Sequence, residues 1–97
     1  MSILRKVNTR NEEKMFDSLN QVVMTGLALL KSEASDEQYR LWEDYSKEMI
    51  RLATSSTKSN LYANYLNLLL KIHAQDLTPE LRIRKCVRFL LLIMKIL

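Results

Sequence analysis

The chain has 97 residues, which sets the expectation of a single helical domain over 1–97 with one modest core. Hydrophobic residues make up 47% and charged residues 27%, a balance that excludes a disordered chain. Gly and Pro each occur once, which excludes β-sandwiches and glycine-rich phosphate loops and leaves an all-α antiparallel four-helix bundle as the expected fold. The net charge of +4 is unevenly spread: residues 1–14 carry +2, 15–30 carry −1, 31–53 carry −2 and 54–97 carry +5. The positive bias favours an anionic partner, and the negative middle argues against nucleic acid, because it would have to turn away from phosphates.

Four helices are expected, over about 10–31, 36–53, 59–73 and 79–96. The first should start at Thr9, because Thr9-Arg-Asn-Glu12 has the form of a capping box. Its apolar face reads as Phe16, Leu19, Val23, Leu27 and Leu30, spaced by three and four. Gly26 lies near that face, and a close helix crossing would account for a residue that otherwise weakens the helix. A second capping box, Ser35-Asp-Glu-Gln38, opens the next helix. There the apolar stripe is Trp42, Tyr45, Met49 and Leu52, and the solvated face holds Glu37, Arg40, Glu43, Asp44, Lys47, Glu48 and Arg51. Glu43–Lys47 and Asp44–Lys47 are expected surface pairs.

Residues 53–60 are rich in hydroxyl and amide side chains, which compete with the helix for backbone hydrogen bonds. The third helix presents Leu61, Tyr65, Leu68, Leu69 and Ile72, with Leu66 and Leu70 widening the face. Leu77-Thr78-Pro79-Glu80 is the clearest start signal: a hydroxyl cap, a proline whose missing amide is harmless in the first turn, and an acid at the positive helix end.

The last helix carries more apolar surface than one core face can use. Ile83, Cys86, Val87, Leu90, Ile93, Met94 and Leu97 share one arc at 100° per residue. Phe89, Leu91, Leu92 and Ile96 fall outside it, beside a basic stripe of Arg84, Arg88 and Lys95. These seven residues are the candidate partner-binding surface, whether for a protein, a second copy of the chain or a membrane face. The alternative is that Ile3, Leu4 and Val7 cover this helix and turn the surplus into core.

Catalytic chemistry is not legible. His73 stands alone, without the cysteine or carboxylate cluster that a metal needs, and reads as a helix-end residue. Cys86 sits on the expected core face as a small hydrophobe. No cofactor motif, paired-carboxylate cleft or nucleophile elbow is visible, which points away from an enzyme. The lone cysteine, the lack of an apolar leader in Met1-Ser-Ile-Leu-Arg-Lys-Val, and apolar runs far short of the ~20 residues of a membrane span lead to the expectation of a cytoplasmic protein. Arg82, Arg84, Lys85 and Arg88 could meet phosphates, yet the helix-turn-helix signature is missing and this helix is too apolar to lie in a groove.

Phe16-Asp-Ser-Leu-Asn-Gln-Val-Val, Asp36-Glu-Gln-Tyr-Arg-Leu-Trp42, Leu61-Tyr-Ala-Asn-Tyr-Leu66 and Leu77-Thr-Pro-Glu80, in this order, resemble the small immunity proteins that protect producers of pediocin-like (class IIa) bacteriocins. The resemblance spans about residues 12–94. It implies a cytosolic four-helix bundle that protects a membrane receptor, the mannose phosphotransferase permease, when the bacteriocin engages it. The fourth helix and its carboxyl end would mediate specificity. Family members often carry a polar tail after that helix, a feature absent up to Leu97. A helical adaptor of phage or plasmid origin, which binds and inhibits a host protein through the same helix, is the other reading that the residues permit.

Overall fold

A computed structural model describes residues 3–55 and 59–96, with side chains from Glu13 onward. Four α-helices, and no strand among the described residues, follow one another as α1 (Ile3–Lys31), α2 (Asp36–Thr54), α3 (Leu61–His73) and α4 (Pro79–Ile96). Short connections turn each helix back on the one before, giving the antiparallel bundle expected of this composition. α1 packs on α2 and α4, α3 packs on the same two, and α1 and α3 occupy opposite corners. The 29 residues of α1 extend about 43 Å at 1.5 Å per residue and account for the long axis of a molecule measuring 49 × 25 × 19 Å.

The start of α2 is built as its sequence dictates. Ser35 Oγ accepts from the Gln38 amide at 3.1 Å, and Gln38 Oε1 accepts from the Ser35 amide at 3.0 Å, closing both halves of the capping box. At the start of α4, Thr78 Oγ1 accepts from the Leu81 amide at 3.3 Å, with Pro79 in the first turn. Thr9 does not cap α1. The helix already runs from Ile3, so Thr9 is interior. No breaker stands between Ile3 and Thr9, and extending a formed helix costs far less than starting one. The Ile3, Leu4 and Val7 side chains lie outside the described residues, as does Leu97.

The core forms around Leu19, Val22, Val23, Trp42, Ile50, Tyr65, Leu69, Ile72, Ile83, Val87 and Leu90. Two helices are rotated from their expected faces. In α1, Met15, Val22 and Gly26 join Leu19 and Val23 inside, whereas Phe16 and Leu27 are about 40% exposed (41% and 39%) and Leu30 is half-buried. In α2 the buried line is Tyr39, Trp42, Glu43, Ser46, Ile50 and Thr54, so Tyr45 and Met49 sit at its edge and Leu52 is exposed. Glu43, assigned to the solvated face, belongs to the core. Lys47 pairs with Asp44 at 3.4 Å as expected, but Glu43 turns inward to His73 instead of to Lys47.

One crossing sets both rotations. A Cβ at Gly26 would lie 2.8 Å from Cζ2 of Trp42 and 3.0 Å from Cγ2 of Val87, so glycine is what lets α1 approach α2 and α4 together. The Trp42 ring cannot retreat freely, because its Nε1 donates to the Val22 carbonyl at 3.2 Å and to Thr25 Oγ1 at 3.1 Å. Alanine gains about 1 kcal/mol of helix propensity over glycine, but forcing a methyl into packed atoms costs about 1–3 kcal/mol. Gly26→Ala is therefore expected to lower the unfolding free energy by up to about 2 kcal/mol in urea titrations. A more stable variant would show that the indole shifts without cost.

Candidate functional site

The outer face of α4 is the candidate surface. Pro79 and the Thr78 cap fix where the helix begins, and Ile83, Cys86, Val87 and Leu90 fix its rotation by entering the core. What remains outside alternates between cations and aliphatics. Leu91, Leu92 and Ile96 are 46%, 55% and 81% exposed, and Arg84, Arg88 and Lys95 are exposed among them. Arg84 binds Glu80 one turn earlier through Nε at 3.2 Å and Nη2 at 3.0 Å, an exposed pair of small energetic weight. Among the described residues, no ion pair engages Arg88 or Lys95.

Phe89 stands apart from the other six. It is half-buried, and its ring lies 6.0 Å from the Tyr65 ring, tilted by 40°. The fold uses it to pack α4 against α3. The arc drawn at 100° per residue put Phe89 outside the core because it took no account of where α3 sits.

α1 contributes to the same side of the molecule. Met24, Leu27, Ala28, Leu30 and Lys31 line a groove of about 550 Å³ closed by Arg84 from α4. Met24 is 58% exposed. The sequence reading missed this surface because it placed Leu27 and Leu30 inside. The overlooked signal was Met15 and Val22, which complete a better core line with Leu19, Val23 and Gly26.

A second constellation lies inside the bundle, where α2, α3 and α4 meet. Glu43 is buried, and its Oε1 stands 2.6 Å from Nε2 of His73, which is half exposed at the end of α3. The Ser46 hydroxyl donates to the Glu43 backbone carbonyl at 2.7 Å and shares a hydrogen bond of 2.8 Å with Tyr65 Oη. Arg82 lies 5.5 Å above the Tyr39 ring, a cation–π contact, and the His73 ring is 6.4 Å from the same tyrosine. Burial raises the Tyr39 and Tyr65 phenols, and the charges of Cys86 and Glu43 act in the same direction on Tyr39. Burial pushes the Cys86 thiol up to about 12, with Tyr65 opposing through a hydrogen bond and Glu43 reinforcing. A thiol held neutral in this way is a poor nucleophile. Among the described residues, no group of three or more His, Cys, Asp or Glu side chains is placed to hold a metal ion. The cluster joins three helices, and His73 is its most exposed member.

No family model, curated protein or solved structure matches the chain.

Two measurements test the interior cluster. His73→Ala leaves the buried Glu43 carboxyl without its partner and should cost about 1–3 kcal/mol, part of which Glu43→Gln in the same chain restores. A double-mutant cycle that returns no coupling would remove the pair from the list of stabilising contacts. The second measurement concerns alkali. Below pH 9 the thiol is protonated in both the folded and unfolded chains, and its contribution is fully present. Above the ordinary thiol value of 9.0 the unfolded chain loses a proton that the folded one keeps until about 12, so stability should fall as the pH rises through this window. Denaturation midpoints from pH 8 to 11 should decline less steeply for Cys86→Ala.

Proposed function

We propose that the chain is a binding protein without catalytic activity, an immunity protein that guards its host cell against a pediocin-like bacteriocin. In this reading it engages the bacteriocin-bound receptor permease at the inner face of the membrane. The observation that carries the proposal is the outer face of α4, where Leu91, Leu92 and Ile96 lie open between Arg84, Arg88 and Lys95. Cations interleaved with aliphatics suit a protein partner that sits at an anionic bilayer: the cations meet phosphate and the aliphatics meet apolar surface at the interface. The ordered pattern from Phe16 to Glu80 supplies the link to the immunity family. No helix among the described residues is long and apolar enough to cross a membrane, so the contact in this reading is peripheral.

The test is protection. Expressed in a strain sensitive to class IIa bacteriocins, the chain should reduce killing by at least one of them. Leu92→Glu should abolish protection while its helical circular dichroism and melting temperature stay close to those of the parent chain. Unchanged killing by every class IIa bacteriocin would overturn the reading. Unfolding of Leu92→Glu would show that Leu92 belongs to the core.

A further inference from the structure

The outward side of α1 has a pattern that neither the core nor the α4 surface uses. Asp17, Gln21, Met24, Ala28 and Lys31 are spaced four, three, four and three, the interval that keeps side chains on one seam between two packed helices. All five are exposed. The seam is flanked on both sides. The groove beside Met24, Leu27 and Arg84 holds about 550 Å³, and a groove of about 530 Å³ on the other side is floored by Thr25, Leu29, Leu41 and Tyr45. Ala28 borders both, so the seam is a low ridge between two furrows, the relief that accepts another helix.

The charges identify the helix that fits. The seam is acidic at one end, at Asp17, and basic at the other, at Lys31, with Met24 midway between them. The distance from Asp17 to Lys31 is about 21 Å at 1.5 Å per residue. Among the described residues neither charge has an ion-pair partner. Glu13 extends the acidic end and Arg84 borders the basic groove. A surface with this antisymmetry complements itself under a two-fold axis through Met24. Turned antiparallel, Asp17 of each chain faces Lys31 of the other, and the two methionines meet at the centre. Lys14 falls a turn beyond Asp17, past the end of the opposing helix.

We propose that two copies of the chain associate through antiparallel α1 seams, held apolar at Met24 and Ala28 and set in register by two Asp17–Lys31 pairs. This seam borders the α4 surface at Arg84 but does not include Leu91, Leu92 or Ile96, and its test reads self-association alone. Sedimentation equilibrium of the full chain at low salt, over a range of concentrations, should show a monomer–dimer equilibrium. Asp17→Lys and Lys31→Asp should each weaken the dimer by about tenfold or more, because each converts two attractions into repulsions. The first raises the net charge and the second lowers it, so general charge repulsion would move them in opposite directions. Mixed together, the two variants should form a heterodimer with affinity near that of the parent, since both pairs are then restored. Met24→Glu should be monomeric, as helical as the parent, and should melt at the temperature of the parent diluted to monomer. The proposal is overturned by a parent chain that is monomeric throughout, by a dimer indifferent to the charge reversals, or by reversed chains that fail to pair with each other. Met24-dependent binding of a monomer to vesicles of anionic lipid would also overturn it, with a bilayer as the occupant.

Discussion

Three helices meet at one residue without a side chain. Gly26 lets the backbone of α1 rest against the indole of Trp42 from α2 and the methyl of Val87 from α4. The contact fixes orientation as well as distance. With Gly26 at the crossing, Met15, Leu19, Val22 and Val23 are carried inward, and Met24, Ala28 and Lys31 are carried outward. With Trp42 held by the Val22 carbonyl, α2 turns its Tyr39–Glu43–Ser46–Ile50 line to the centre. The surfaces on either side of the molecule are therefore consequences of how closely these helices can approach.

The rotation of α2 brings polar groups into a small core, and the fold satisfies most of them. Glu43 finds His73, and Ser46 links Glu43 to Tyr65. Hydrogen bonds of this kind are directional, whereas leucine contacts tolerate sliding by a turn. α3 is the shortest helix, with 13 residues, and Asn60 before it makes no side-chain cap bond. An apolar face alone would leave its register weakly defined. The Ser46–Tyr65 and Glu43–His73 bonds are separated by about two turns of α3, so together they fix both its height and its rotation. Tyr39 Oη and Arg82 Nε are buried without a hydrogen bond from a protein group, and the cation–π contact between the two side chains offsets part of that cost.

Helix boundaries were legible because caps are local chemistry. Ser35 with Gln38, and Thr78 with Pro79, announce α2 and α4 within four residues, and the structure closes the bonds those residues imply. Thr9 misled because the same local signal is overruled when the preceding residues can continue the helix. Faces were legible only where hydrophobicity and burial coincide. Along the core lines of α3 and α4 they do, and Leu61, Tyr65, Leu69, Ile72, Ile83, Val87 and Leu90 were assigned correctly, whereas Leu70, read as widening the α3 face, is 69% exposed and Phe89, read as outside the core, packs on Tyr65. In α2 they do not: a stripe drawn through Trp42, Tyr45, Met49 and Leu52 follows the apolar residues, whereas the buried line passes through Glu43 and Ser46. No periodicity argument selects a carboxylate for the core without knowing that His73 waits there, 30 residues along the chain.

The apolar residues left outside are not spread evenly. Leu41, Leu52 and Leu70 are single exposures on α2 and α3, which folded proteins tolerate widely. α1 and α4 are adjacent, and their outer sides gather Phe16, Met24, Leu27, Leu81, Leu91, Leu92 and Ile96 onto neighbouring surface. Placing cations among these residues keeps such a surface hydrated, since Arg and Lys can lay their methylene stems over apolar neighbours and hold their charges in water. The same arrangement explains why α4 does not need its surplus for folding. Ile83, Cys86, Val87 and Leu90 already fill its side of the core, and Phe89 braces it against Tyr65. Leu92 and Ile96 add no packing that the fold requires, so the physical case for a role outside the fold is strongest at these two residues.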